Sequence, residues 1–582
     1  MVRVKHELAA WFEEALGRLG WIALAGNLID RPREPGHGDY SSHVALRLAK
    51  SLGQPPLALA QTIVANLPPS PWIERIDIRP PGFINLHLSF EALLSELAHM
   101  LDETHPYGHA APGATRVLIE FVSANPNGPL HIGHGRGAAF GDTLARVLEA
   151  LGSRVEREYY VNDAGRQMDI LALSVWIRYC EHLCDAALDF PSAGYQGDYI
   201  RDLALELLEV EGPRFLRTQE QMPETIPPDV EEGDGRDQHI DARIALMKTT
   251  LGAKDYEGVL GFARGKMLEV IRGDLADFGV HYDRWYSERS LYEDAKVAEM
   301  IRLLEERGET YRRDGALWFR ASSHGDEKDR VLMRTNGEYT YFAPDLAYHL
   351  DKMRRGYDRL INVLGSDHHG YAPRIRAGLE ALGQDPKRLE VRLVQFAVLY
   401  RGGQRVQMST RSGSFVTLRE LVEEVGRDAA RFFYVLRSEA QHLDFDLDLA
   451  KSHSQENPVY YVQYAHARIA SLFRESTERG LKPDTGDREA WGQLQQPPER
   501  ALLTTLTRYP EILEQAAGGY APHLIAQFLR EIAQAFHVYY HAVPLLIEDR
   551  ALRNARLGLC LATRLILADG LSLLGVSAPS KM

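Results

Sequence analysis

The chain has 582 residues, of which 45% are hydrophobic and 25% carry a charge. A chain of this length typically holds about three to four domains, and its composition excludes disorder, collagen and a small disulfide scaffold. Sixty-seven basic and 81 acidic residues give a net charge of −14, which argues against a protein that coats DNA through an overall basic surface.

The number of cysteines and the length of the apolar runs indicate the cellular compartment of the protein. Three cysteines are too few for a disulfide framework, which favours a reducing environment. No run approaches the ~18 uncharged apolar residues of a membrane-spanning helix, and the amphipathic N-terminus lacks the apolar centre of a signal peptide. We therefore expect a cytoplasmic protein that has neither a membrane nor DNA as a partner and binds no structural metal.

The first elements predict a small domain followed by a parallel sheet. Residues 1–110 show two helical patterns and one alternating strand pattern, RIDIRPPGFINLHLS, as in an α+β domain. In residues 111–185, a buried-strand pattern from Arg116 to Val122 leads through a Pro/Gly/Asn loop into a helix from about Gly135 to Leu151. A second strand pattern, VEREYYVND, follows, and this order predicts parallel pairing.

The α/β pattern stops and then returns. Residues 186–335 interrupt it, so we expect an insertion between two halves of the sheet, with a flexible acidic segment near residues 220–241. The pattern resumes in residues 336–416 with the strand-like runs INVLG and VQFAVLY. Amphipathic helices dominate residues 417–582 and predict a separate α-helical bundle.

The most informative segment runs from Glu120 to Gly137, where the first strand leads into a helix. Its glycines let a ligand approach the backbone, and a helix N-terminus offers N–H groups and partial positive charge to phosphate. His131 and His134 share one face of the first turn and would donate hydrogen bonds to nucleotide oxygens as charge builds up. The alternative is a pair of capping histidines in a tight turn.

Two further loops carry polar groups. Residues 407–413, QMSTRSG, follow a predicted strand, and their amides and hydroxyls can close over a pyrophosphate, with Arg405 or Arg411 supplying charge. A polar surface loop explains this segment equally well. Residues 365–370, GSDHHG, lie at the C-terminal end of the strand INVL, where α/β sheets bind ligands.

Together, His131-Ile-Gly-His134 and the QMSTRSG loop resemble the two signatures of class I aminoacyl-tRNA synthetases. Over almost its full length, the chain is similar to the arginyl-tRNA synthetase family. The other stretches that carry this resemblance are GYQGDYI around Tyr199, residues 341–345, 365–369 and 428–431, NPVYYVQYAHARI and the C-terminal LLGVSAPSKM. The resemblance implies a Rossmann-type catalytic core split by an insertion, a small N-terminal α+β domain and an anticodon-binding α-helical bundle.

A guanidinium is planar, always charged and carries five donors, so a pocket that selects it needs fixed carboxylates. The resemblance implies six arginine-binding residues, with Glu120, Tyr341 and Asp345 at the guanidinium, Asn125 at the amino and carboxylate ends, and Ser123 and His368 as further contacts. The alternatives are an ion pair within the protein for Glu120, a helix N-cap for Asp345 and a core position for Tyr341.

The resemblance also assigns the nucleotide site. We expect catalytic roles for His131, His134, Ser409 and Arg411, and ATP contacts from His131, Gly133, His134, Gly135, Gly365, Asp367, Val398, Met408 and Ser409. Gln407 and Thr410 stand where many class I enzymes have lysines, and Gly128 stands where some arginyl enzymes carry one. Arg405, Arg411 and Mg²⁺ are therefore the candidates for neutralising the leaving pyrophosphate.

A tRNA partner requires local positive charge, and twelve Lys/Arg outnumber six Asp/Glu between residues 351 and 411. The resemblance implies tRNA contacts from Tyr460, Tyr464, Arg468 and Met582 in the helical domain, and from Phe83 and Asn85 in the N-terminal domain. The alternatives are core positions for the tyrosines and Phe83, a turn position for Asn85 and a solvated charged face for the basic residues.

The combined expectation is a monomeric arginine–tRNA ligase with tRNA(Arg), L-arginine and ATP, with Mg²⁺, as partners. It would form arginyl-adenylate and pyrophosphate and then transfer arginine to the 3′-terminal adenosine. The resemblance further implies that tRNA must be present for the first step. Two rivals are a small-molecule nucleotidyltransferase, which the long helical third opposes, and a catalytically dead RNA-binding paralogue, which the retained histidines oppose.

Overall fold

The computed structural model describes residues 3–21, 28–32, 35–102, 104–184, 189–217, 226–230, 234–406, 416–481 and 484–582. Its first elements are α1 (Arg3–Arg18), β1 (Tyr40–Ser42), α2 (Val44–Leu52), α3 (Pro56–Asn66), β2 (Ile73–Arg79), β3 (Phe83–Leu88) and α4 (Phe90–Met100). The three strands form an antiparallel sheet in the order β1-β3-β2, and the helices complete a small α+β domain.

The central part of the chain builds a larger sheet. Its elements begin with β4 (Arg116–Phe121), α5 (Ile132–Ala150), β5 (Arg154–Val161), α6 (Arg166–Cys184), α7 (Asp198–Glu211), α8 (Asp234–Asp277) and β6 (Arg284–Ser287). They continue with α9 (Arg289–Glu293), α10 (Lys296–Glu306), β7 (Thr310–Arg313), β8 (Ala316–Phe319), β9 (Arg330–Met333), α11 (Phe342–Arg354), β10 (Arg359–Gly365), α12 (Tyr371–Ala381) and β11 (Leu389–Val394).

Five of these strands pair in parallel in the order β11-β10-β4-β5-β6. Five of the six residues of β4 are buried, since Val117 and Ile119 pack into one core and Leu118 into another on the opposite face. A parallel strand covered on both faces reads as a continuous apolar run, which is why this strand was predictable. The carboxyl ends of β4, β5 and β10 meet at one edge, where α/β folds place their ligands.

The edge strand β6 lies inside the 186–335 range assigned to the insertion. It has four residues and pairs with β5 through Glu158 and Arg284 at its start. A strand this short shows no periodicity, so the sheet returns earlier than the sequence indicated. The helix α8 begins at Asp234, which makes the last residues of the 220–241 segment helical, while part of that segment lies outside the described residues.

Two smaller sheets complete the middle of the chain. The strands β7, β8 and β9 form an antiparallel sheet in that order. The strands β12 (Ala397–Arg401), β13 (Gln404–Arg405) and β14 (Leu443–Asp446) form a second one in the order β13-β12-β14. Single turns of 3₁₀ helix lie at Pro35–His37, Ala321–His324, Ser366–His368 and Pro386–Arg388.

The last third is helical, as predicted. Its helices are α13 (Leu418–Val425), α14 (Arg427–Val435), α15 (Leu447–Lys451), α16 (Pro458–Glu478), α17 (Arg488–Trp491), α18 (Pro497–Leu506), α19 (Tyr509–Gly518), α20 (His523–Ala542) and α21 (Arg550–Leu573). One buried cluster joins residues of the N-terminal domain, of α5 and of this bundle. In the part of the chain that is described, no helix is long and apolar enough to cross a lipid bilayer.

One buried guanidinium, that of Arg431 on α14, ties several parts together. It donates to the carbonyl oxygen of Leu574 at the end of the bundle at 2.9 Å and to that of Phe278 after α8 at 3.2 Å. It also pairs with the Asp142 carboxylate on α5 at 2.6 Å. Burial disfavours the charged form of both groups, and the pairing offsets this cost.

We therefore expect Arg431→Met to destabilise the protein strongly, because it leaves Asp142 and the carbonyls without this donor. Removing one partner of a buried ion pair costs about 3–5 kcal/mol. The midpoint of urea unfolding, followed by far-UV circular dichroism, should fall well below that of Arg427→Met, a half-exposed residue of the same helix. Equal midpoints for the two variants would contradict this role of Arg431.

Candidate active site

A cavity of about 590 Å³ opens at the carboxyl ends of β4, β5 and β10. Its wall unites most of the site residues predicted from the sequence: Glu120, Ser123, Asn125, His131, Gly133, His134, Tyr341, Asp345, Gly365, Asp367 and His368. These residues come from segments up to about 250 positions apart, and the parallel sheet brings them together because its strands end at a common edge.

His131 and His134 stack at the start of α5, with ring centroids 3.7 Å apart. His131 is the N-cap, and its Nδ1 accepts the backbone N–H of Gly133 at 3.0 Å. The Nδ1 of His134 accepts the backbone N–H of His131 at 3.2 Å. Because both Nδ1 atoms are acceptors, the proton of each neutral ring lies on Nε2. The capping role and a donor role therefore coexist.

The electrostatics keep these rings neutral. Burial lowers the pKa of His131, and burial together with the neighbouring His131 lowers the pKa of His134 to about 3. Neither ring carries a charge near pH 7, so each presents an N–H dipole rather than a cation.

The sequence predicted that the backbone N–H groups at the start of α5 would be free to bind a phosphate. Two of them are instead used within the protein. The N–H of Ile132 donates to the carbonyl oxygen of Val416 at 3.3 Å, and that of Gly133 is taken by the His131 cap. The histidine cap and the returning chain thus satisfy groups that a helix N-terminus usually leaves to a ligand. These amides are therefore used within the protein, and the side chains of the two histidines line the cavity beside them.

Glu120 has an ion-pair partner within the protein. Its carboxylate is buried, pairs with the fully buried Lys352 of α11 and accepts a hydrogen bond from Ser123 Oγ at 3.0 Å. The ammonium of Lys352 also donates to Asn362 Oδ1 at 3.1 Å. The alternative of an internal ion pair for Glu120 is therefore confirmed, and its charge is already balanced where it borders the cavity.

The turn that follows Glu120 is conformationally strained. Val122 and Ser123 both adopt positive φ, 69° and 44°, which is unusual for non-glycine residues and rare for a β-branched one. This backbone lets Ser123 Oγ donate to Glu120 while accepting the N–H of Tyr160 at 3.1 Å. Strain of this kind is typical of sites where side chains must be held in one arrangement.

Glu288 and Asp345 are carboxylates of the cavity wall without an ion-pair partner among the described residues, although the positive charge of Arg374, in the same wall, partly offsets the pKa shift of Asp345. Burial raises the pKa of each to about 7, and the Glu288 charge adds to the shift of Asp345. In the described chain, no Lys or Arg lies within ion-pair distance of either. Glu288 accepts a long hydrogen bond of 3.5 Å from the Tyr292 hydroxyl, and the nearby Tyr160 hydroxyl also favours its charged form. The cavity therefore offers two closely placed carboxylates to a cationic ligand.

The sequence predicted Asp345 but missed Glu288, which follows β6 in the run Trp-Tyr-Ser-Glu. A carboxylate directly after a short aromatic strand was the available signal, and it is weak because nothing else marked this strand. The N-cap alternative for Asp345 is wrong, since this residue lies in the first turn of α11 and the N-cap position is Tyr341. The core alternative for Tyr341 is also wrong, because its side chain is 74% exposed at the cavity mouth.

One end of the cavity is formed by the chain after β10. Gly365, Asp367 and His368 line it, and the side chains of Asp367 and His368 are exposed. Val398 lies on β12 and is not part of the cavity wall, whereas the preceding Gln395 and the half-exposed Phe396 are.

Gly135 packs against other elements rather than facing the cavity. A Cβ at this position would lie 2.7 Å from Leu418 and 2.9 Å from the Tyr434 hydroxyl. This glycine therefore lets α13 and α14 approach α5 closely. At Gly133, which does line the cavity, a Cβ would lie 2.8 Å from the His131 ring.

The predicted loop residues Met408, Ser409 and Arg411 lie outside the described residues, which stop at 406 and resume at 416. The chain returns beside the histidines, since Leu418 N–H donates to the carbonyl oxygen of Leu130 at 2.8 Å. Both ends of the 407–415 segment are thus fixed, one on β13 and the other next to the start of α5.

Fixed positive charge in the cavity comes from an unpredicted residue. Arg374 on α12 is the one Lys or Arg of the described chain that lines the wall, and its guanidinium lies 5.8 Å from the Tyr371 ring centroid. Arg405 lies exposed on β13, outside the wall. Much of the basic excess between 351 and 411 is used within the protein, because Lys352, Arg355 and Arg392 pair with glutamates.

A second cavity, of about 680 Å³, lies in the helical third and is lined by Tyr460, Gln463 and Met582. The rings of Tyr460 and Tyr464 stack at 6.0 Å, and Arg468 donates to the Tyr464 hydroxyl at 2.8 Å. Both tyrosines are partly buried, so part of each side chain remains accessible.

The two predicted tRNA-binding residues of the N-terminal domain differ in accessibility. Phe83 is 39% exposed at the start of β3, so the core alternative is wrong for it. Asn85 is buried within the same strand, and its Oδ1 accepts the Ser41 hydroxyl at 2.8 Å. The Asn85 side chain is thus used to hold β1 against β3.

Family models match three parts of the chain. The arginyl tRNA synthetase N-terminal domain matches residues 6–88 and the DALR anticodon binding domain matches residues 462–582. The catalytic domain of tRNA synthetases class I (R) matches residues 96–188 and 251–441. These matches confirm the predicted fold class, in which an N-terminal domain precedes a split catalytic core and a helical domain.

Relatives cover the whole chain. An arginine–tRNA ligase of Thioalkalivibrio sulfidiphilus is 53% identical over 100% of both chains, and one of Halorhodospira halophila is 55% identical over 95% of this chain and 94% of the other. The solved arginyl-tRNA synthetase of Thermus thermophilus is 25% identical, with a TM-score of 0.76 over 99% of this chain and 100% of that chain. The chain therefore belongs to the arginyl-tRNA synthetase family of class I aminoacyl-tRNA synthetases.

Proposed function

We propose that this chain is an arginine–tRNA ligase whose chemistry takes place in the 590 Å³ cavity. ATP and L-arginine react to arginyl-adenylate and pyrophosphate, and the 3′-terminal adenosine of tRNA then attacks the acyl carbon and releases AMP. The observation that carries this proposal is the pair of carboxylates without an ion-pair partner, Glu288 and Asp345, in the same cavity as the stacked histidines.

The carboxylate pair fits a guanidinium. A planar cation with five donors can serve both carboxylates at once, with Tyr341 closing the mouth and the Tyr160 hydroxyl nearby in the wall. An ammonium lacks this fork and leaves acceptors unpaired, so lysine is rejected by ~10⁴-fold or more. Glu120, already balanced by Lys352, shapes the amino-acid end together with Ser123 and Asn125.

The stacked histidines serve the first chemical step. In the attack of the arginine carboxylate on the α-phosphorus, negative charge grows on the phosphate oxygens, and the Nε2–H groups of His131 and His134 stabilise it. One such preorganised donor is typically worth about 3–4 kcal/mol of barrier. Arg374, together with the 407–415 segment that includes Ser409 and Arg411, provides further polar groups for the triphosphate, and Mg²⁺ accompanies the nucleotide.

The tRNA spans the other two domains. The 680 Å³ cavity with Tyr460 and Met582, together with Tyr464 and Arg468, receives anticodon bases by stacking and edge contacts. Phe83 stacks on a base at the N-terminal domain, whereas the buried Asn85 positions the strand that presents it.

ATP–pyrophosphate exchange tests the function directly. Exchange should require L-arginine, lysine should not replace it, and the same preparation should charge tRNA(Arg). The assay is run with and without tRNA to determine whether activation depends on it. Exchange without any amino-acid dependence would indicate a nucleotidyltransferase instead, and tRNA binding without exchange or charging would indicate an inactive paralogue.

Asp345→Asn and Glu288→Gln should each raise the KM for arginine by about 10–100-fold, because each removes one charged hydrogen-bond acceptor. The KM for ATP should change by less than about threefold. Glu299→Gln, which removes an exposed carboxylate of α10, is the charge-matched control. A parallel rise of both KM values would instead indicate a structural role.

The raised pKa values predict a pH dependence of arginine affinity. The cation binds the ionised carboxylates, whose pKa is about 7 in the free protein, so affinity is full above pH 7 and is lost as pH falls through it. Below that point the Kd for arginine should rise by about tenfold per pH unit for each group that must lose a proton. Calorimetry in buffers of different ionisation enthalpy measures both the Kd and the released protons; a Kd that is constant from pH 8 to 6 would contradict this.

His134→Asn separates the two roles of this ring. The amide oxygen of asparagine can still accept the His131 N–H, but nothing replaces the Nε2–H donor. We expect turnover in exchange to fall by about 10²–10³-fold while thermal stability stays within a few degrees. A near-normal rate would leave His134 with only its capping role.

A further inference from the structure

Tyr520 occupies an unusual backbone position at the end of α19. Its φ is +53°, and the Ala521 N–H closes the helix end on the carbonyl oxygen of Ala516 at 2.8 Å. Helices that end this way normally place glycine at this left-handed position, and a bulky side chain there is strained. Gly519 stands one residue earlier with φ −91°, so the available glycine is not used for it.

The Tyr520 ring compensates for this strain by contacts with the catalytic sheet. It contacts two guanidinium groups, with the Arg359 Cζ 5.2 Å and the Arg392 Cζ 5.1 Å from the ring centroid. Arg359 also donates to the Tyr520 hydroxyl. Arg359 begins β10 and Arg392 lies on β11, so one aromatic side chain of the helical bundle holds two neighbouring strands.

From Arg392 a continuous set of contacts reaches the cavity. Arg392 pairs with the Glu439 carboxylate, and the carbonyl oxygen of Glu439 accepts the N–H of Gln395 at 2.9 Å. The carbonyl oxygen of Gln395 in turn accepts a hydrogen bond from Arg136 at 2.7 Å. Gln395 lines the cavity, and the buried Arg136 lies on α5 two residues after His134.

We propose that Tyr520 is a positioning residue for ATP, which couples the helical bundle to the nucleotide end of the active site. Its ring fixes Arg392, which fixes the Glu439 segment, and this segment sets Gln395 against the helix that carries the two histidines. Tyr520 itself touches no substrate. This inference deepens the proposed ligase function and rests on it.

Two substitutions separate the ring from its hydroxyl. Tyr520→Asn removes the ring, and asparagine tolerates the left-handed backbone better than most residues. Tyr520→Phe keeps the contacts of the ring with the two guanidinium groups and removes only the hydroxyl. Arg564→Gln is the control, because it removes a comparable contact, with Phe473 at 5.2 Å, within the bundle and away from the sheet.

The measurements are the KM values for ATP and arginine in pyrophosphate exchange with tRNA present, the Kd for tRNA and the thermal midpoint. For Tyr520→Asn we expect the ATP KM to rise by about tenfold, with the arginine KM and the tRNA Kd within about twofold of the parent. Tyr520→Phe and Arg564→Gln should keep an ATP KM close to that of the parent.

Three outcomes would overturn the inference: an unchanged ATP KM in Tyr520→Asn, a rise of all constants together with a fall in the thermal midpoint, or a loss in Arg564→Gln as large as that in Tyr520→Asn. Failure of the proposed function itself is distinguishable, because the parent protein would then show no arginine-dependent exchange in the same assay.

Discussion

Negative charge without an ion-pair partner in the active-site wall is the constraint on which the substrate site depends. Removing a carboxylate from water costs several kcal/mol unless a partner replaces the lost hydration. Glu120 meets this requirement through Lys352 inside the protein, whereas Glu288 and Asp345 do not, and burial raises the pKa of both to about 7. A carboxylate is therefore structural at one position and open to a cationic ligand at two others, and an ion pair within the protein distinguishes the first from the other two.

The two histidines show that a structural and a chemical role can use opposite atoms of one ring. Their Nδ1 atoms cap α5, and this fixes the tautomer, the stacking and the direction of Nε2 before any substrate arrives. The low pKa of His134 keeps it an uncharged donor. Preorganisation of this kind needs no reorganisation as charge develops at phosphorus, which is the main way a catalyst without a covalent intermediate lowers the barrier.

The local patterns allowed the sheet and the first signature to be predicted closely. The buried run and the following helix pattern located β4 and α5 within a few residues, because burial on both faces and a helix start leave strong local signals. The features that were missed are defined by distant partners. Lys352 reads as an ordinary helix charge, β6 is too short to show a period, and the hydrogen bond from Ser41 to Asn85 joins residues 44 positions apart.

At the junctions between domains, too, the role of a residue depends on partners that are distant in the sequence. Arg431 and Tyr520 both join the helical bundle to the catalytic core, the first through α5 and the second through β10 and β11. A buried cluster that continues from the bundle into α5 leaves little freedom for the domains to move independently. The helical bundle and the histidine helix therefore share one packed core. Tyr520 occupies this contact despite its strained backbone, because its ring connects the helical bundle to the catalytic sheet.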